Sequence, residues 1–170
     1  MNFLFRAKLL FFLYFVVNKL LNPTDMTSQS RIKPPVWFWI VSVVALLWNL
    51  IGAASYVADA FMSVDQLNQF TQEQRLLYES RPIWVTAAYA FAVWAGTLGC
   101  IALLFRKKWA RTAFLVSLIG VLVQNIYQFF LSDTLQVMGE GALILALMVI
   151  IISIALLFFA KFSSSKAWIT

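Results

Sequence analysis

Arg106-Lys107-Lys108-Trp109-Ala110-Arg111 places four basic residues and no acid between two long apolar runs, Ile83 to Phe105 and Thr112 to Leu131. Lys and Arg next to a membrane span are retained on the cytoplasmic side of a bilayer. If the flanking runs are spans, this stretch is a cytoplasmic turn, and its side of the membrane sets the direction of every other segment.

The composition supports that condition. Of 170 residues, 62% are hydrophobic and 12% charged, and the mean hydropathy is +0.84. Soluble domains are roughly 45–50% apolar and about 25% charged. The chain is therefore read as an all-α integral membrane protein. A formal charge of +6 and a pI near 9.7 do not indicate nucleic acid, because no basic run carries the interleaved polar and aromatic residues of such a surface. The one cysteine, Cys100, cannot form an internal disulfide, and the absence of histidine removes the commonest metal ligand and general base.

Outward from the basic turn, the first complete span is Val36 to Tyr56. Ile32-Lys33-Pro34-Pro35 leads into it, and Trp37, Phe38 and Trp39 stand at its start, where aromatic rings favour the headgroup level. Its length corresponds to about 31 Å of helix, enough to cross roughly 30 Å of hydrocarbon. Asp59 to Arg81 is polar and mildly acidic. Ser63-Val64-Asp65-Gln66 and Thr71-Gln72-Glu73-Gln74 read as capping boxes opening short helices on the outer face. Arg81-Pro82 starts the second span, about residues 83–105. The third covers 112–131, and Ala142 to Ala160 forms the fourth after Gly139-Glu140-Gly141.

With four spans, Arg31, Lys33, Arg106, Lys107, Lys108, Arg111, Lys161 and Lys166 share one side. Arg75 and Arg81 lie opposite, with six of the seven acids. This asymmetry puts both ends of the four-span domain, residues 26–170, in the cytoplasm. Residues 1–25 are set apart as an extra apolar segment. Its unbroken run, Leu9 to Val17, gives only about 14 Å of helix. It is expected to be an interfacial helix, or to precede a natural start at Met26. An ordinary span entered from inside would invert the charge pattern.

Two heptad-spaced stripes mark the spans. The first is Ser42, Ala45, Asn49, Gly52, Tyr56 and Asp59; the third span carries Ala110, Ala113, Ser117, Gly120, Gln124 and Tyr127. Small or polar positions at this repeat bring membrane helices together. Asn49 and Gln124 fall at similar depth and are expected to face one interior and to hydrogen-bond each other, directly or through water. Such amides serve either as helix glue or as the lining of a binding site; Trp48, Asn49, Tyr56, Gln124 and Asn125 are the candidate substrate-binding set. Gly52, Ala88, Ala92, Gly96 and Gly120 are the candidate packing positions. Ala88, Ala92, Gly96 and Cys100 form a row of small residues four apart, which lets backbones approach closely.

No Asp, Glu, Lys or Arg lies near the middle of a span, where ion-coupled carriers need a ligand for the coupling ion. No catalytic pair, metal-ligand spacing or phosphate loop appears. The expectation is a protein with no enzyme activity, no cofactor and no metal, whose partners are the lipid bilayer and a second copy or another membrane protein.

The stretches ALLWNLIGAASY from Ala45, LLYES before Arg81-Pro82, WAGTLGCIALLFRKKWA from Trp94 and VSLIGVLVQ from Val116 resemble a group of small bacterial four-span inner-membrane proteins that commonly carry the label "sugar transporter". The resemblance covers most of the chain from Met26 and implies a four-span inner-membrane protein. Its label implies solute transport, with no site residues to carry over. Two functions therefore stand: helix packing with itself or a partner, and uncoupled permeation of a neutral polar solute such as a sugar.

Overall fold

The computed structural model describes residues 32–170. The readings of residues 1–25 and of a start at Met26 lie outside the described residues. Within them the chain is helical, with no strand. The helices are α1 (Val36–Ala60), α2 (Val64–Leu67), α3 (Gln72–Glu79), α4 (Ile83–Leu104), α5 (Ala110–Ile126), α6 (Thr134–Met138) and α7 (Glu140–Ser165). One turn of π-helix, Tyr127–Leu131, extends α5. Four of these helices are long and apolar enough to cross a membrane. This is an integral, multi-pass membrane protein, and α2, α3 and α6 lie in the connections at one end of its bundle.

Two spans are longer than hydropathy alone indicates. The apolar pattern ends the first span at Tyr56, whereas α1 runs to Ala60. Its last turn is held by the polar connection: Arg81 Nη2 lies 2.7 Å from Asp59 Oδ2, and the Tyr78 hydroxyl donates to the Asp59 carbonyl at 2.7 Å. The fourth span begins directly after Gly139, at φ 73°, and continues past Lys161 to Ser165. A long cationic side chain reaches water from a helix that is still unbroken, so charge does not end this one.

The polar connection folds as its capping signals require. Ser63 and Gln66 make one reciprocal cap, and Thr71 and Gln74 make the next. Each satisfies two otherwise orphaned N–H groups at a helix start. Hydroxyls inside the spans are satisfied locally as well. Ser42, Thr97 and Ser153 each donate to the carbonyl four residues earlier, which removes an unpaired donor from surroundings that supply no water.

Among the long helices, α4 packs most closely on α5, α1 on α4, and α5 on α7. α1 and α7 meet chiefly through side chains at the end bearing the basic residues. There Phe38 stands 5.6 Å from Phe159 and 5.9 Å from Trp168, ring centre to ring centre, and Trp37 stands 5.2 Å from Trp168. Phe38, Leu103, Phe114 and Ile169 are fully buried in this half of the bundle, which makes it the dense core.

Arg106 ties that core shut. It adopts φ 56°, a conformation that costs a non-glycine residue roughly 1–3 kcal/mol. In return its Nε donates to the Trp168 carbonyl at 2.7 Å and its Nη2 to the Ile32 carbonyl at 2.8 Å. Its own carbonyl accepts from Thr170 N at 2.7 Å. One residue thus joins the lead-in of α1, the α4–α5 turn and the segment after α7. Arg106→Gln should lower unfolding stability by about 2 kcal/mol through loss of charge-assisted hydrogen bonds. Lys107→Gln, at an exposed neighbour, should leave thermal unfolding in detergent nearly unchanged. Equal effects would remove the staple.

Candidate functional site

The middle of the bundle is organised by the face of α4 that carries no large side chain. Ala88, Ala92, Gly96 and Cys100 are all buried, and the neighbouring helices press onto them. Gly120 of α5 lies so close that a Cβ there would stand 2.7 Å from the Ala88 carbonyl oxygen and 2.9 Å from Ala92 N. Ser117, one turn earlier, donates to the Ala92 carbonyl at 2.6 Å. On the other side, the Asn49 amide of α1 covers Gly96, where any added Cβ would overlap Asn49 Oδ1. Asn49 Nδ2 donates to the Ala45 carbonyl at 2.9 Å and to Cys100 Sγ at 3.4 Å. Gly52 has more room: a Cβ added there would meet Val93 Cγ1 at 3.5 Å.

Asn49 and Gln124 do not form the direct hydrogen bond expected of them. Asn49 stands level with Ser117, both crowding the point where a Cβ on Gly96 would stand, whereas Gln124 lies seven residues further along α5, about 10 Å along the helix axis. The similar depth expected of the two amides does not hold. Asn49 finds its partners on α1 and α4. The two amides nevertheless line one cavity of about 200 Å³, together with Trp48, Tyr89, Ser117 and Ser153. This cavity lies between α1, α4, α5 and α7, where α1 and α7 are not closely packed along their length. Its remaining wall is mostly aliphatic, from residues such as Ile51, Val93, Leu145 and Ile152.

A second cavity, of about 160 Å³, opens nearer the end that carries the acidic residues. Asp59 and Arg81 line it as an ion pair, with Gln74, Tyr78, Gln128 and Thr134 around them. Tyr89 and Gln124 line both cavities, so they form the wall that the two share. Tyr56 is absent from either lining and instead stands edge-on to Tyr89, ring centres 5.3 Å apart. It holds that wall in place. Asn125 is buried away from both cavities: Nδ2 donates to the Val121 carbonyl at 2.7 Å, and Oδ1 has no hydrogen-bond partner among the described residues.

The structure thus gathers Trp48, Asn49 and Gln124 at one cavity, makes Tyr56 a support and leaves Asn125 outside. Tyr89 is the functional candidate missed by sequence reading. It sits one position from Ala88, about 100° around the helix, so the stripe that exposes the packing row passes it by. Among the described residues, no three His, Cys, Asp or Glu side chains converge as a metal site would need.

The chemistry available is neutral hydrogen bonding inside an apolar wall. The amide of Gln124 and the phenol of Tyr89 both donate and accept, and the only charges at either cavity neutralise each other. Drug-sized sites occupy roughly 300–1,000 Å³, so each cavity suits a small occupant. No protein-family model matches the chain, and no curated protein or solved structure matches it either.

Two glycines separate close packing from simple small size. Gly120→Ala should destabilise the bundle by about 1–3 kcal/mol, because backbone atoms of α4 cannot rotate away from the added methyl. Gly52→Ala should be neutral or slightly stabilising, since it meets an ordinary contact and gains helix propensity. Denaturant unfolding in detergent compares the two, and indifference to Gly120→Ala would disprove the close contact.

Proposed function

We propose that this chain is a non-enzymatic protein of the bacterial inner membrane that admits a small neutral molecule from the periplasm, with its basic end in the cytoplasm. The pair of cavities sharing Tyr89 and Gln124 carries this reading. They lie one after the other from the acidic end toward the middle of the spans, and their largely apolar walls carry neutral hydrogen-bonding groups, apart from the paired Asp59 and Arg81. Beyond them, Phe38, Leu103, Phe114 and Trp168 fill the bundle. Cavities toward one end and a filled core toward the other support one state of a permease. No ionisable side chain of Asp, Glu, Lys or Arg lies at mid-depth among the described residues, which favours uncoupled movement.

The second reading, packing with itself or a partner, has less surface to draw on than the sequence suggests. The small row of α4 is filled by Gly120, Ser117 and Asn49 of the same chain. Among the apolar surface left for an assembly is a groove on the outside of α4 and α5, lined by Trp84, Ala87, Phe91, Val116, Ile119 and Val123. A discrete oligomer in detergent that dissociates on Phe91→Ala would favour this role.

Uptake of neutral solutes into proteoliposomes separates the two. Gln124→Leu should reduce uptake about tenfold, the value of one hydrogen bond of roughly 1.4 kcal/mol to a small ligand. Uptake no faster than in protein-free vesicles, or unchanged by Gln124→Leu, would eliminate the permease reading. Threading is checked independently. A cysteine introduced at Gln69 should react with an impermeant thiol reagent from the periplasmic side, and one introduced at Lys108 only after permeabilisation. The reverse pattern would overturn the orientation.

A further inference from the structure

The basic end of the bundle carries six exposed cations among the described residues, Lys33, Lys107, Lys108, Arg111, Lys161 and Lys166. All the described Asp and Glu side chains are in or beside the connections at the opposite end, and neither salt bridge among the described residues involves these cations. Arg106 is different in kind, because its guanidinium is occupied by backbone carbonyls. The exposed six are more than a topological signal where the fold draws some of them together. Arg111 Nη1 lies 3.4 Å from Ser164 Oγ, so the start of α5 meets the end of α7. Lys161 is one turn before Ser164 on the same face of α7, and Lys108 lies in the turn just before α5, its carbonyl accepting from Arg111 N at 3.2 Å. Three cations and a hydroxyl therefore share one junction.

Immediately toward the apolar part of the bundle, the surface changes character. The Lys161 ammonium lies 5.8 Å from the centre of the Phe158 ring. Phe158 is 64% exposed, and Leu115, one turn beyond Arg111 on α5, is about half exposed. A soluble anion would use the cations and leave these side chains idle. A phospholipid uses both, with its phosphate at the cations and its acyl chains along the aromatic and aliphatic surface. Guanidinium matches phosphate oxygens in a two-pronged geometry, and basic pockets between helices at the membrane boundary attract anionic headgroups.

We propose that the junction of Lys108, Arg111, Lys161 and Ser164 is a binding site for an anionic phospholipid. The proposal is independent of what occupies the cavities and of which way the chain is threaded. Native mass spectrometry and thermal unfolding of the purified full chain, in neutral detergent, test it with phosphatidylglycerol and phosphatidylcholine of identical acyl chains. Phosphatidylglycerol should bind at least about tenfold more tightly, since each basic residue near a membrane surface adds a factor of roughly five. It should also raise the unfolding temperature. Arg111→Gln with Lys161→Gln should erase the preference, while Lys33→Gln, away from the junction, should keep it. Equal affinity of the wild-type chain for the two lipids would overturn the site, and that comparison needs no variant to fold. Loss of preference in Lys33→Gln as large as in the double variant would show a diffuse field in place of a site. Glycerol phosphate competing as well as phosphatidylglycerol at equal concentration would show a soluble-anion site, and would equally overturn the proposal.

Discussion

The contact of Gly120 with Ala88 and Ala92 sets the spacing from which the rest of the bundle follows. Lipid is as apolar as a leucine side chain, so burial of apolar surface does little to hold membrane helices together. Close van der Waals contact and hydrogen bonds must do it. With no side chain at Gly120, α5 reaches the backbone of α4, and the approach brings Ser117 within reach of the Ala92 carbonyl. The same row, one turn further on, offers Gly96 as a seat for Asn49, and so fixes α1. Three helices are thereby locked on one strip of small residues. The fourth, α7, rests on α5 and is gathered to α1 by the aromatic rings of the basic end.

That arrangement explains why space remains between the helices at all. α4 occupies the position between α1 and α5, and the large side chains of the dense half close the gap between α1 and α7 at one end only. Away from the aromatic rings the gap persists as the larger cavity. Its polar groups are neutral, and several are already committed: Ser117 donates to Ala92 and Ser153 to Val149. Gln124 and Tyr89 keep hydrogen-bonding capacity where the two cavities adjoin.

Much of this is legible from residue order. Apolar runs of sufficient length, with Pro35 and Pro82 before two of them, locate the spans. Ser63 with Gln66, and Thr71 with Gln74, locate the short helices, because a capping box is a purely local device. What escapes is whatever depends on the third dimension. The two amide stripes point to the correct faces, yet residue order does not tell that Asn49 comes level with Ser117 and not with Gln124. Tyr89 lies one residue off a conspicuous row. Nothing near Arg106 announces its backbone conformation or its partners, which come from segments far away in sequence. The short helix α6 and the π-helical turn after Ile126 likewise have no cue in residue type; they are set by how the chain must return from α5 to α7.

The length of α7 has a consequence of its own. Its 26 residues make a rod of about 39 Å, against roughly 30 Å of hydrocarbon. Glu140 and Lys161 stand 21 positions apart along it, or about 31 Å. The carboxylate and the ammonium therefore bracket the oily slab like the marks on a gauge, and the helix can stand nearly upright with both in water. Hydrophobic mismatch costs fractions of a kcal/mol per ångström. In a thicker bilayer one of the two charges is drawn under the surface, so this single helix gives the protein a preferred membrane thickness.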